Sequence, residues 1–455
     1  MASTEVHNWF GDIVWTPSAQ ATPTSVEEIV AIVRDPATYP SPVRGVGSNH
    51  STTACASAPA GTTLFMSAMN KIVSIGADTV TTQPGALLKD VAEELVKHGL
   101  QFFVNIELGD LSMGAAATCG TKEAAFPGEH GQVSSYCIGA RVVTSTGELL
   151  EITEADGPLI QAFRSSYGTF GVTYEVTFRV RPLQPMSVHH KVYSLEKYLA
   201  ALPEITASAQ SLMMFMDPMR NKVAVEFRTY HEIEPGQKYS HWQWKLRNFL
   251  WKDIGPGWAY LTRRFVPTKL LRSLSLGALS ALTFPVLRLV IRGKNTVAAD
   301  QQIHYPPVAN DCKYTFIIWA YPADRYPDAM RAYFQFCKDY YKETGFRITM
   351  PSVGYRTYQD QSSLLSYSYT NDSITIDPVT TPEPGWEEFQ KAYSLLGQRF
   401  DGVPLLNQTN YLTRDMVVTA FGDRIDALER QRVALDPTGR FLSPYFSELL
   451  ASPAA

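Results

Sequence analysis

The chain predicts an α+β fold in two parts. Short strand-like runs alternate with amphipathic helical stretches as far as Val180. Pro182 and Pro185 then interrupt the pattern, and beyond them longer strands are grouped with aromatic-rich helices. The length, 455 residues, also exceeds the ~250–300 residues at which single cores stop growing.

The elements follow in order. Ser25 with Glu28 three residues on reads as a capping box, and Val26, Ile29, Val30 and Val33 form the apolar stripe of the helix it starts. Pro42–Val46 and Asp78–Thr82 read as strands. Leu88–His98 reads as a helix closed by Gly99. Gly139–Thr144 and Leu149–Glu154 flank a Ser145-Thr146-Gly147 turn and predict a hairpin. Pro158–Ser166 reads as a helix and Val172–Val180 as an alternating strand. Past the prolines, Ser211–Met216 and Lys222–Tyr230 predict strands around a Pro218–Asn221 turn, and Asp311–Trp319 a further strand. Tyr326–Thr344 predicts a helix, Phe346–Tyr355, Ser363–Thr370 and Ser373–Asp377 predict strands, and Pro384–Phe400 predicts a helix.

Composition excludes some classes of function. The net charge, 40 − 44 = −4, and the lack of a basic arm argue against nucleic-acid binding. No zinc-ligand spacing appears, so no metal site is expected. Five scattered cysteines predict reduced thiols and a cytoplasmic setting, and the N-terminus lacks the basic and then apolar character of a signal segment.

Chemistry concentrates in Arg44-Gly45-Val46-Gly47-Ser48-Asn49-His50-Ser51, a strand end passing into a loop. Glycines admit a ligand close to the backbone, and successive loop N–H groups cradle phosphate. No third glycine opens a helix, so this is not a Rossmann fingerprint. Taken alone, the loop also reads as a surface turn with a solvated histidine.

Four further segments lie in order along the chain: Asn8-Trp9-Phe10-Gly11; Leu111 to Lys122, with its run of small residues; His130 to Ser135 followed by Thr146-Gly147-Glu148; and Gly168 to Thr177. With Gly47-Ser48-Asn49-His50-Ser51, these resemble the vanillyl-alcohol oxidase/para-cresol methylhydroxylase (PCMH) superfamily, nearest its alditol oxidase and aldonolactone oxidase branch. Asp436 to Tyr445 resembles the C-terminal signature of that branch. The resemblance implies a two-part PCMH-type FAD-binding domain over residues 1–183. A substrate domain over 184–430, with a mainly antiparallel sheet covered by helices, would follow, and residues 431–455 would return to the flavin domain. It implies FAD, held by Gly45, Val46, Gly47, Ser48, Asn49, His50, Ser51, Ser112, Ala115, Cys119, Gly120, Thr121, Lys122 and Val172, with His50 bonded covalently to the flavin. Lys122 stands where the family has a histidine.

The activity implied is oxidation of a CH–OH donor by hydride transfer to flavin N5. Val353-Gly354-Tyr355-Arg356-Thr357 lines up with the substrate strand of the family, which assigns Arg356 to developing negative charge and places Tyr355 beside it, while Gly354 replaces a glutamate. Gln408 or Asn407 falls near a lysine of the family. Glu107 is a candidate base. The residue before it, Ile106, falls where a small side chain admits oxygen, and its bulk favours a dehydrogenase. Loss of charged groups predicts a donor less polar than an alditol.

Ser273–Leu287 is fifteen uncharged residues flanked by Arg263, Arg264, Lys269 and Arg272 before it and Arg288, Arg292 and Lys294 after. It is too short to span a bilayer, which takes ~20 residues. A buried core or interface element and a peripheral contact with an anionic membrane are the two readings. A nicotinamide-dependent dehydrogenase, a flavin-binding protein without turnover and an amine donor are the rival functions.

Overall fold

The computed structural model describes residues 4–234, 236–291, 293–306 and 312–450. Arg292, Asp311, the Lys294 side chain and the last five residues of the expected C-terminal segment lie outside the description.

Two larger sheets and the two-stranded ribbon of Val6–His7 with Val14–Trp15 build the N-terminal part. Ala19–Ala21, Thr62–Phe65 and Val43–Val46 pair in parallel, with Thr62–Phe65 central. The helix Val26–Arg34 packs Ile29, Ile32 and Val33 on this sheet, and Ser25 caps it by accepting from the Glu28 N–H. The second sheet is antiparallel and six-stranded. Its spine, Val172–Pro182, pairs with Cys137–Val143 on one side and Thr79–Thr82 on the other. The hairpin of Cys137–Val143 with Leu149–Thr153 is present, and Leu88–Lys97 covers this sheet before Gly99 ends the helix at positive φ.

The C-terminal part is an eight-stranded antiparallel sheet. Its strands obey the two-residue side-chain period. Leu212, Met214 and Met216 face helices Leu195–Thr206, Tyr326–Thr344 and Trp386–Arg399, whereas Met213 and Phe215 face a separate cluster with Trp244, Trp251 and Tyr355. That second face is the one turned toward the site.

Three expected strands differ. Asp311–Trp319 divides: Thr315–Phe316 pairs with Val379–Thr380, and the chain then crosses so that Trp319–Pro322 joins the large sheet. Phe346–Tyr355 becomes a strand only at Ser352, because Phe346 and Ile348 pack into the helix-side cluster after the tight cap at Gly345. Ser363–Thr370 forms turns. Its polar groups bond locally or to the N-terminal part, as when the Leu365 N–H donates to Ser165 Oγ at 2.9 Å and the Asp360 N–H donates to the Ser368 carbonyl at 3.0 Å.

Ser273–Leu287 lies within one helix, Lys269–Val290, with Pro285 inside it. At 22 residues it is long and apolar enough to cross a membrane by length and composition, so the fifteen-residue window understated it. Only one edge is core: Leu276, Leu279, Phe284 and Leu287 are buried, while Leu270, Leu274, Leu282 and Leu289 are exposed.

Asp436–Phe441 ties the end of the chain to its beginning. Asp436 accepts from the N–H groups of Arg440 and Phe441, the Arg440 guanidinium donates to the carbonyls of Ile32 and Val33, and Phe441 is buried beside Ile29 and Val43.

Candidate active site

The glycine loop is shaped by what surrounds it. A Cβ on Gly47 would lie 2.0 Å from Ser112 Oγ, so the loop and the start of the Met113–Thr118 helix touch through bare backbone. Asn49 sits at φ 58°, and its amide donates to the His7 carbonyl at 2.6 Å. Asn8 closes the N-terminal turn by accepting from the N–H groups of Gly11 and Ile13, and it donates to the Ser51 carbonyl at 3.1 Å. This turn lays the Trp9 ring on the His50 imidazole, with centroids 5.1 Å apart. Burial holds the His50 pKa down at about 4, so the imidazole is neutral across the physiological range.

Two hollows meet at His50. One, of about 920 Å³, follows the glycine loop. Gly45, Val46, Gly47, Ser48, Asn49, His50, Ser51, Ser112, Ala115, Cys119 and Val172 all line it. No carboxylate does, among the described residues, and Arg44 contributes a cation. Arg44 is itself buried, with its guanidinium on the carbonyls of Cys55, Tyr167, Gly168 and Phe441. The second hollow, of about 990 Å³, lies between the flavin-type part and the large sheet. Gly120, Thr121 and Lys122 line this one, with Ile106, Glu107, Tyr355 and Gln408.

Both hollows include Asn407 and Gln408. Asn407 Oδ1, Gln408 Oε1 and Thr52 Oγ1 are buried without a hydrogen-bond partner among the described residues. Unsatisfied buried acceptors are costly, so such groups mark where a ligand belongs. A cleft without carboxylates, with exposed backbone and an arginine, fits a dinucleotide diphosphate, and the waiting acceptors fit N–H or hydroxyl donors of a ligand beside His50.

Arg356 is a correction. On the strand Ser352–Thr357, Val353 and Tyr355 face the hollow, so Arg356 faces the helices. It donates to the carbonyls of Thr206, at 2.8 Å, and Gln210, and it lies over the Tyr358 ring. Gly354 shares that face, and a Cβ there would lie 2.4 Å from the Thr375 carbonyl oxygen. The family alignment therefore placed both its charged positions on the wrong side of this strand.

The charges that do reach the hollow come as pairs. Glu107 pairs with Arg247 at 2.6 Å, and Lys122 with Asp377 at 2.6 Å. The Lys122 ammonium also lies 3.9 Å from the centre of the Tyr355 ring. Burial pushes the Asp377 carboxyl up to about 6 against the pull of Lys122. Trp251, presented by the π-helical turn Leu250–Ile254, and the hydrogen-bonded Tyr305 and Tyr314 complete one wall. Sequence reasoning missed Arg247, Asp377, Trp251, Tyr305 and Tyr314. Each comes from a segment remote from the motifs, and no spacing announced them.

A model of the FAD binding domain matches residues 17–153, and one described as D-arabinono-1,4-lactone oxidase matches residues 176–449. The chain belongs to the D-arabinono-1,4-lactone oxidase family. It is an FAD-dependent oxidoreductase of the aldonolactone oxidase and dehydrogenase type, with the PCMH-type flavin domain that its motifs resemble. Among relatives, L-gulono-1,4-lactone dehydrogenase of Mycobacterium tuberculosis is 24% identical over 97% of this chain and 98% of its own length. L-gulonolactone oxidase of Mus musculus is 22% identical, with 98% of each chain covered. In fold, the family member is similar to a solvent-stable cholesterol oxidase, with TM-score 0.71 and 16% identity over 98% of this chain and 97% of that one. The cholesterol oxidase from B. sterolicum gives TM-score 0.70 at 16% identity over the same shares.

Proposed function

We propose that this enzyme oxidises the CH–OH group of a lactone, lactol or other alcohol, with its FAD bonded covalently through His50 and with a donor less polar than an open-chain polyol. The observation that carries the reading is the neutral, half-buried imidazole of His50 at the junction of the two hollows. A neutral ring nitrogen retains the lone pair that a covalent bond needs. FAD supplies the acceptor for a hydride from the donor carbon.

The remaining chemistry belongs to side chains. Glu107, fixed by Arg247, takes the hydroxyl proton. Lys122, steadied by Asp377, holds the oxygen as charge builds on it. The acceptors of Asn407 and Gln408 orient donor or ring. Val353, Tyr355, Ile318, Leu405 and Trp251 are among the apolar residues of the remaining wall, which supports a less polar donor. Ile106, buried at the hollow, supports an acceptor other than oxygen.

Acid precipitation tests the linkage. Yellow colour should stay in the pellet and intact mass should include the flavin, and both should disappear in His50→Ala. A wild-type pellet free of flavin overturns the covalent reading. Anaerobic bleaching tests the donor: a sugar lactone or an apolar alcohol should reduce the flavin faster than a polyol, and the reverse order refutes the polarity argument.

A second reading concerns location. Nineteen large apolar side chains are exposed among the described residues, and eleven fall between Trp242 and Leu289. Ten lie on helices Trp242–Phe249, Gly255–Phe265 and Lys269–Val290, and Ile254 on the π-helical turn Leu250–Ile254, with Arg263, Arg264, Lys269, Arg272 and Arg288 among them. This supports a layer resting on an anionic bilayer. Anionic vesicles should sediment the wild type more than a deletion of residues 273–287; equal sedimentation rejects this reading.

A further inference from the structure

One wall of the hollow between the flavin-type part and the large sheet is a linked run of aromatic groups: Trp251, Tyr314 and Tyr305. Local structure places each end of the run. Pro256 has no N–H to donate, and the helical ladder before it widens, so that the Gly255 N–H reaches back five residues to the Leu250 carbonyl. This turn carries Trp251, whose buried ring lies edge-on to Phe215 and Tyr314 at centroid distances of 6.0 and 6.1 Å. Tyr305 is held through its main chain. Its N–H donates to Asp110 Oδ2, and its carbonyl accepts from Trp9 Nε1 at 3.1 Å. Its ring centre lies 6.0 Å from that of His50.

This wall holds one more donor than it uses. Trp251 Nε1 can only donate, and it does so to the Tyr314 hydroxyl oxygen at 3.2 Å. The Tyr314 and Tyr305 hydroxyls hydrogen-bond to each other. One N–H and two O–H groups therefore share two bonds, and neither hydroxyl has another partner among the described residues. Whichever tyrosine donates to the other, one O–H is left over at the lining of the hollow. Burial, then the neighbouring Tyr314 hydroxyl and the Glu107 charge, hold the Tyr305 pKa well above its ordinary value, and burial and the Glu107 charge raise that of Tyr314. Both hydroxyls stay protonated at physiological pH, so they serve as donors and not as bases. Glu107 and Lys122 attend the reacting hydroxyl in the proposed function, which leaves the spare O–H for a different oxygen of the substrate. We propose that the Tyr305–Tyr314 pair donates this hydrogen bond to the carbonyl oxygen of a lactone and so selects a lactone over a ring alcohol of the same shape that lacks the carbonyl. The proposal rests on the reading of this hollow as the donor site and adds the side chains that choose between donors.

The test uses the holoenzyme and two donors: L-gulono-1,4-lactone, and the cyclic ether in which CH2 replaces its carbonyl. Anaerobic stopped-flow traces give the efficiency of flavin reduction by each, and the ratio of the two is the readout. The intrinsic difference in reactivity between the compounds cancels when a variant is compared with the wild type. Tyr305→Phe and Tyr314→Phe each retain an unshared tyrosine O–H, so each single variant should keep most of the wild-type ratio. Tyr305→Phe/Tyr314→Phe has none, and its ratio should fall about three- to tenfold, the size of one hydrogen bond. Tyr305→Phe/Tyr314→Leu carries the test if that pair does not fold, as thermal melting would reveal. A double variant with the wild-type ratio overturns the proposal. Losses in the two single variants that add up to that of the double also overturn it, because packing and not the number of donors would then set the preference. A shifted flavin spectrum in the double variant with the ratio unchanged gives the hydroxyl to the cofactor and overturns the assignment. Bleaching of the wild-type flavin by an apolar alcohol but not by the lactone removes this inference and leaves the proposed function standing. If no lactone or alcohol bleaches it, both fall.

Discussion

Three positions in the proposed site can each be tested alone. Gly47 has no room for even a methyl group, because Ser112 Oγ occupies that space. Gly47→Ala should cost about 1–3 kcal/mol and lower flavin content, as read by thermal melting and by absorbance per protein. Asp377 gives a pH dependence of defined sign. Its pKa is about 6 in the fold and 3.8 in the unfolded reference, so the folded state keeps the proton to higher pH. The contribution of this group to stability therefore falls as pH rises from about 4 to 6. Activity runs the other way: below pH 6 the carboxyl is protonated and Lys122 loses its counter-charge. The kcat/KM profile should fall below an apparent pKa near 6 in the wild type, and Asp377→Asn should be slower and flat across that limb. Ile106→Ala should raise the rate at which reduced enzyme reacts with oxygen several-fold in stopped-flow traces.

At the scale of the element, one strand determines which residues the substrate meets. Ser352–Thr357 is buried on both faces, so its alternation of Val353 and Tyr355 with Ser352, Gly354 and Arg356 does not tell which face meets the cavity. Its neighbours decide: Met213 opposes Tyr355 on the cavity face, and Met214 opposes Gly354 on the helix face. Arg356→Met should leave its two carbonyl acceptors unpaired and lower stability by about 1–3 kcal/mol, with kcat/KM unchanged. A collapse of kcat at full stability would return Arg356 to the site. The helices were easier to foresee, since Ser25 with Glu28, Gly99 and Gly345 are local stop and start signals. Ser363–Thr370 misled because its aromatic and serine alternation mimics a strand, while its polar groups pair across to other segments.

At the scale of the molecule, the chain closes on itself around the flavin cleft. Arg44 joins the glycine strand to the 167–168 turn and to Phe441, and Arg440 clamps the first helix. Removing residues 436–455 should expose the Ile29, Ile32 and Val43 cluster, losing about 2–3 kcal/mol for the Phe441 side chain alone, and give flavin-poor, aggregating protein on gel filtration. The sequence by itself determined the cleft: Gly47, His50, Ser112 and Val172 all line it and are legible because loops that bring bare backbone to a ligand need runs of small residues, which leave a local signature. Tertiary structure alone decided the rest of the site. Glu107 meets Arg247, and Lys122 meets Asp377, only because loops, a helix and a strand end distant in sequence pack together. Buried ion pairs between remote segments depend on that packing, and nothing in the local order of residues encodes it.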